Sequence, residues 1–185
     1  MKPEIRKGRS LWALLTLALS TLLGGCAGPR VADYANEQPR LDIRSYFNGP
    51  VTAHGIFVDR SGRVVRRFQV QMNCLWQGDE GTLQEFFQYN DGKTQTRVWR
   101  MKRQPDGSFA ATAGDVIGTA RGEQSGNAYN MQYTLALEVD GRTWEMQFDD
   151  WMYQLDERTV INRAVMSKFG VRLGEVIVSF ARAGA

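Results

Sequence analysis

Cysteine and histidine are nearly absent: the 185 residues contain two cysteines, Cys26 and Cys74, and one histidine, His54. Two cysteines allow at most one disulfide, so no disulfide framework can replace a packed core. A single histidine, with no paired cysteines, leaves no recognisable zinc site, and no metal is expected. The most apolar stretch, Leu11 to Leu23, spans 13 residues, fewer than the roughly 20 that a membrane-crossing helix needs. Excess charge is missing too. The chain has 23 Lys+Arg against 20 Asp+Glu, and residues 1–25 hold four of the first and one of the second, so 19 of each remain beyond residue 25. A neutral remainder offers no electrostatic footprint for nucleic acid, and none is expected as a partner. Catalytic signatures are equally thin. No Gly-x-Ser-x-Gly elbow occurs, and Gly114, Gly118, Gly122 and Gly126 recur without the Lys-Ser/Thr ending of a phosphate loop. No cofactor and no catalytic residue are therefore expected.

What is there begins with an export signal. Lys2, Arg6, Lys7 and Arg9 precede the short apolar run, and Gly24 and Gly25 lead into Cys26. A charged head, an apolar middle and a small-residue cleavage site define a secretory signal. The string Leu22-Leu23-Gly24-Gly25-Cys26 resembles the lipobox of bacterial lipoproteins, which implies lipid attachment at Cys26 and a membrane reached through an N-terminal lipid anchor. Ala27, standing where an aspartate would retain such a protein, implies passage to the outer membrane. An acylated Cys26 leaves Cys74 alone, in an alternating run that predicts a buried apolar role. The domain organisation expected is a signal peptide over 1–25, a lipidated N-terminus and tether over 26–45, and a folded domain over 46–185. Pro29, Pro39 and few apolar residues suggest an extended spacer in the second of these.

Beyond residue 50 the dominant period is two. Phe68, Val70, Met72 and Cys74 alternate with Arg67, Gln69, Gln71 and Asn73, and the same pattern returns in Met131–Val139, Trp144–Phe148 and Val176–Phe180. One-sided alternation marks strands with one face on a core. Turn signals separate the runs, among them Asp59-Arg60-Ser61-Gly62, Asn90-Asp91-Gly92, Pro105-Asp106-Gly107 and Phe169-Gly170. The fold class expected is all-β: an antiparallel up-and-down, lipocalin-like barrel of about 8–10 strands. Two stacked sheets are the alternative. Along 112–124 the residues Thr112, Gly114, Val116, Gly118, Ala120 and Gly122 share one small face. Facing inward, it leaves either a ligand cavity or room for an aromatic from across the barrel, with Trp76, Trp99, Trp144 and Trp151 available.

The strongest local anomaly is Phe148-Asp149-Asp150-Trp151-Met152-Tyr153. The series Trp144, Met146, Phe148 next places Asp150 inside, and a bulge at the paired aspartates would turn Trp151 or Met152 inward. A carboxylate among aromatics costs several kcal/mol unless paired or protonated. Asn162 and Arg163 follow one hairpin later, and Arg66 and Glu85 interrupt otherwise apolar faces. Two readings remain open: a polar floor in an apolar pocket, or an internal salt-bridge network or solvated bulge. The candidate ligand-binding residues are Arg66, Glu85, Trp99, Asp149, Asp150, Trp151, Asn162 and Arg163.

The segments Asn90-Asp91-Gly92, Arg97-Val98-Trp99, Gly118–Gly122, Gly126-Asn127-Ala128, Phe148–Met152 and Asn162–Gly170 together resemble a bacterial lipoprotein family, domain of unknown function 3833. That resemblance implies a lipocalin-like barrel in a Gram-negative cell envelope, lipid-anchored on the periplasmic face of the outer membrane. It implies no activity. The function expected is a binding module holding a lipid or other apolar small molecule. The alternative is a filled barrel that meets a protein partner through outward apolar residues such as Phe86 or Trp99. A third reading, an enzyme using Glu85 and Asp150, lacks the other parts of a catalytic constellation.

Overall fold

The computed structural model describes residues 28–139 and 141–182. The signal peptide expected over 1–25 and the lipid attachment at Cys26 lie outside these residues. Ten strands follow in order: β1 (Gly49–Asp59), β2 (Val64–Gln77), β3 (Glu80–Tyr89), β4 (Thr94–Arg103), β5 (Phe109–Thr112), β6 (Val116–Ser125), β7 (Ala128–Val139), β8 (Arg142–Gln154), β9 (Thr159–Lys168) and β10 (Val171–Arg182). Each pairs antiparallel with its sequence neighbour, and β1 pairs with β10 from Val51↔Arg182 to Asp59↔Gly174, which closes the barrel. Closure leaves no sheet edge open. The fold expected from the sequence is therefore the one found.

Alternation places the core. In β2, Phe68, Val70, Met72, Cys74 and Trp76 are buried while the residues between them are exposed. Successive side chains in a strand point to opposite faces, so one hydrophobic set fills the interior. Each large apolar side chain so buried contributes about 1.5–3 kcal/mol. Cys74 belongs to this set, and burial pushes its thiol up to about 12. The thiolate needed for reactivity is therefore suppressed.

The barrel has two unlike ends. At one, hairpins join β1–β2, β3–β4, β5–β6, β7–β8 and β9–β10. The other end is covered by the segment before β1. There a short 3-10 helix (Val31–Tyr34) leads to one α-helical turn, α1 (Ile43–Tyr46). Asp42 caps α1, its carboxylate accepting from the Arg44 and Ser45 amides at 2.9 and 3.4 Å. Leu41, Ile43, Tyr46 and Phe47 are all at most 3% exposed. The Tyr46 hydroxyl donates to the carbonyls of Arg158 and Phe180 at 2.8 and 3.1 Å, and Phe47 meets Phe180 edge-on. Residues 31–45, expected as an extended tether, are thus part of the compact unit, which begins at Val31. A handful of apolar residues suffices because the open mouth of the barrel supplies the other half of their core.

The interior is filled. The Tyr129 ring lies over Gly122, Trp76 over Gly81 and Phe68 over Gly55; a Cβ at any of these glycines would fall on the ring. Of the small face expected along 112–124, Ala120 and Gly122 are buried and Val116 packs against the core. A turn after Thr112 and a register shift between Ile117 and Arg121 break the rest of it, with Gly118 at φ +72. The residue that fills the space across Gly122 is Tyr129, none of the four tryptophans.

Candidate functional site

Strand register assembles a polar centre inside this apolar barrel. Glu85 on β3 sits directly opposite Arg97 on β4, and both face inward. Arg97 reaches further, to the β5–β6 turn, where its Nε and Nη2 donate to the Asp115 carboxylate at 3.0 and 2.7 Å. Its Nη1 lies 3.8 Å from Glu85 Oε2. A bidentate arginine–carboxylate pair of this kind is among the strongest polar contacts available. Across the interior, Asp150 on β8 is 6% exposed. It accepts hydrogen bonds from the Tyr133 hydroxyl on β7, at 2.9 Å, and from the Asn162 side-chain amide on β9. Trp99 and Tyr133 join the two halves edge-to-face, their centroids 5.4 Å apart.

Electrostatics follows from burial. Desolvation raises the Glu85 carboxyl to about 7; Arg97 opposes the rise, while Asp115 and Asp150 add to it. Desolvation likewise raises Asp150 to about 6, against the hydrogen bonds from Tyr133 and Asn162. Burial alone would lower the Arg97 pKa, but Glu85 and Asp115 raise it overall. A carboxyl raised in the folded state keeps its proton where the unfolded chain has released it. Stability therefore falls as pH rises from about 4 to about 7, and then levels off. Each raised carboxyl destabilises the folded state by roughly 3 kcal/mol above that range. Thermal unfolding measured from pH 5 to pH 8 is expected to show this decline, and Glu85→Gln with Asp150→Asn is expected to flatten it. A wild-type profile that rises across the same interval would contradict the burial argument.

Of the eight residues singled out in the sequence, the structure brings four together inside: Glu85, Trp99, Asp150 and Asn162. Arg66 points inward near the hairpin end, over the Tyr89 ring and paired with Asp91 at 3.0 Å. The other three lie outside. Asp149 accepts from Asn130 and from Trp151 Nε1, Trp151 stacks on Tyr153, and Arg163 pairs with Glu175 at 2.7 Å. The reason is regular alternation. The bulge expected at the paired aspartates does not form: β8 keeps unbroken register with β7 and β9. Trp99, also named as a possible outward anchor, is 5% exposed, whereas Phe86 is 41% exposed. Sequence reasoning missed Arg97, Asp115, Tyr129 and Tyr133. Arg97 carried a usable signal, two residues before Trp99 on the same strand face. Asp115 alternates with the small residues Gly114 and Val116 and would face outward in a straight strand; the turn before β6 aims it at Arg97 instead.

Space decides what this centre can do. It adjoins a cavity of about 40 Å³ lined by Glu85, Trp99, Tyr129 and the methionines 72, 101, 131 and 152. That volume holds a water molecule or two, whereas ligand pockets span about 300–1,000 Å³. Two carboxyls of raised pKa are the ingredients of acid–base chemistry, and here they stand beside a cavity sized for a water molecule or two. Among the described residues, no cluster of three or more His, Cys, Asp or Glu is placed to hold a metal ion.

The model of one protein family, described as "Protein of unknown function (DUF3833)", matches residues 20–182 of the chain. No curated protein matches it.

Proposed function

We propose, for a chain that belongs to the DUF3833 family and so inherits no activity from its relatives, that it is a lipid-anchored envelope protein acting through its outer surface, its barrel a solid scaffold. The observation that carries this reading is the filled interior: a cavity of about 40 Å³ among aromatic and methionine side chains. On this reading the Glu85–Arg97–Asp115 and Asp150–Asn162–Tyr133 groups are internal networks that fix strand register. The anchor is Cys26, and the signal anatomy before it supports attachment on the periplasmic face of a Gram-negative outer membrane. The protein is non-catalytic.

The test is direct. Protein purified from membranes of its native host is extracted with organic solvent, and both fractions go to mass spectrometry. The expected result is acyl mass retained covalently on a polypeptide starting at Cys26, with no second lipid in stoichiometric amount. A stoichiometric extractable lipid would sink the solid-barrel reading, and an unmodified N-terminus would sink the anchor.

One observation favours a second reading, uptake of a small molecule into the interior. Glu85 Oε2 and the Tyr129 hydroxyl are buried without a hydrogen-bond partner, and both residues line the cavity. Its four methionines are the side chains best able to repack around a guest. The same extraction experiment separates the two.

A further inference from the structure

A second hollow, larger than the cavity beside Glu85, lies on the outside of the barrel. A groove of about 790 Å³ crosses the outer face of β9, β10, β1, β2 and β3 to the start of β4. Gly55, against which the Phe68 ring packs from within, is among its lining residues. Register sorts the rest by chemistry. Ile161 on β9 pairs with Ser179 on β10, and Ile177 pairs with Ile56 on β1. This half of the groove is built on three isoleucines, with the paired His54 and Ser179 beside them. Ile56 also pairs with Arg67 on β2, and Gln69 pairs with Gln88, which pairs with Thr94 beside Lys93. This half is polar and cationic. No carboxylate lines the groove. Neither Arg67 nor Lys93 has an ion-pair partner among the described residues. The nearest acid in that turn, Asp91, is already held by Arg66 at 3.0 Å.

We propose that this groove binds a single anionic amphiphile, its phosphate or carboxylate head on Arg67 and Lys93 and its hydrocarbon chain on Ile56, Ile161 and Ile177. The volume lies within the range of small-molecule sites. Ile177 and Arg67 stand two strands apart, about 10 Å, which suits a charged head and a short stretch of chain. In a domain of balanced charge, an acid-free concavity with two unpaired cations selects ligand charge. The isoleucine wall selects against an inorganic anion. The proposal rests on the surface-acting reading above and names the chemistry of that surface.

The probe is dodecyl phosphate below its micellar concentration, titrated into the chain expressed from residue 26 with Cys26→Ser and followed by amide NMR shifts. The compact unit, Val31–Ala185, contains the whole barrel. Shifts are expected at Ile56, Arg67, Lys93 and Ile177. The double variant Arg67→Gln, Lys93→Gln is expected to weaken binding at least tenfold with an unchanged circular dichroism spectrum. Ile177→Ser, which leaves the charge alone, is expected to weaken it as well, and inorganic phosphate is expected to bind far less tightly. Equal affinity for dodecyltrimethylammonium, insensitivity to the double variant, or shifts confined to Met72 and Met131 would overturn the groove. A stoichiometric lipid extracted from the interior would instead overturn the solid barrel and leave the groove shifts standing.

Discussion

Arg97→Met is expected to lower the stability of the barrel by about 3–5 kcal/mol at pH 8 and by markedly less at pH 5. The Arg97 side chain is 15% exposed and serves two carboxylates at once, Asp115 at 2.7 Å and Glu85 at 3.8 Å. Removing it leaves both without a counter-charge, and an unpaired buried charge is far costlier than the pair that contained it. Below about pH 7 Glu85 takes up a proton even in the wild type, because its carboxyl is raised to about 7 with the guanidinium present. Its share of the loss then disappears, and the pH 5 deficit reflects only Asp115 and lost packing. Arg97→Lys restores the charge without the planar fork and should fall between. Denaturant unfolding of the three proteins at both pH values checks this. Equal losses at pH 5 and pH 8 would mean that Glu85 is not part of the arginine's burden.

The second large effect is expected at Gly126, in the β6–β7 hairpin. Its φ is +54, and a Cβ there would fall on the Tyr34 carbonyl oxygen. The same hairpin accepts the Leu41 amide at 2.9 Å through the Gly126 carbonyl. Gly126→Ala therefore combines left-handed backbone strain of about 1–2 kcal/mol with a collision against backbone that cannot rotate away. A total near 3 kcal/mol is expected, concentrated in the segment before β1. Trypsin should cut at Arg40 and Arg44 far faster than in the wild type while the strands stay protected. Unchanged cleavage at Arg40 would show that the segment does not depend on this seat.

These results bear on what a sequence of this kind discloses. The strands were legible because Phe68–Trp76 and Trp144–Asp150 keep period two and glycine-bearing turns punctuate them. Asp150 was legible for the same reason, as the next inward step after Phe148. Asp149 and Trp151 face outward because the bulge that an aspartate pair suggests does not form, and Arg163 does because alternation on β9 turns its neighbour Asn162 inward. Cross-strand bonds from Asn130 and Asn162 hold the aspartates in regular register instead. The role of Arg97 is illegible in the sequence because a charged residue in a strand ordinarily faces water, and its two acids lie on a neighbouring strand and a distant turn. The segment 31–47 has no period at all. Leu41, Ile43 and Phe47 are tied to a mouth that exists only once the barrel has closed.

That closing seam has a temporal consequence. Val51 is matched to Arg182, near the far end of the chain, and contacts so distant in sequence make for slow folding. A ribosome releasing this polypeptide in order hands over nine strands before the one that zips the first. Until Phe180 emerges, β1 and β9 stand as two raw borders. A chain shortened by its last dozen residues would retain them, and is expected to polymerise side by side rather than settle as a monomer.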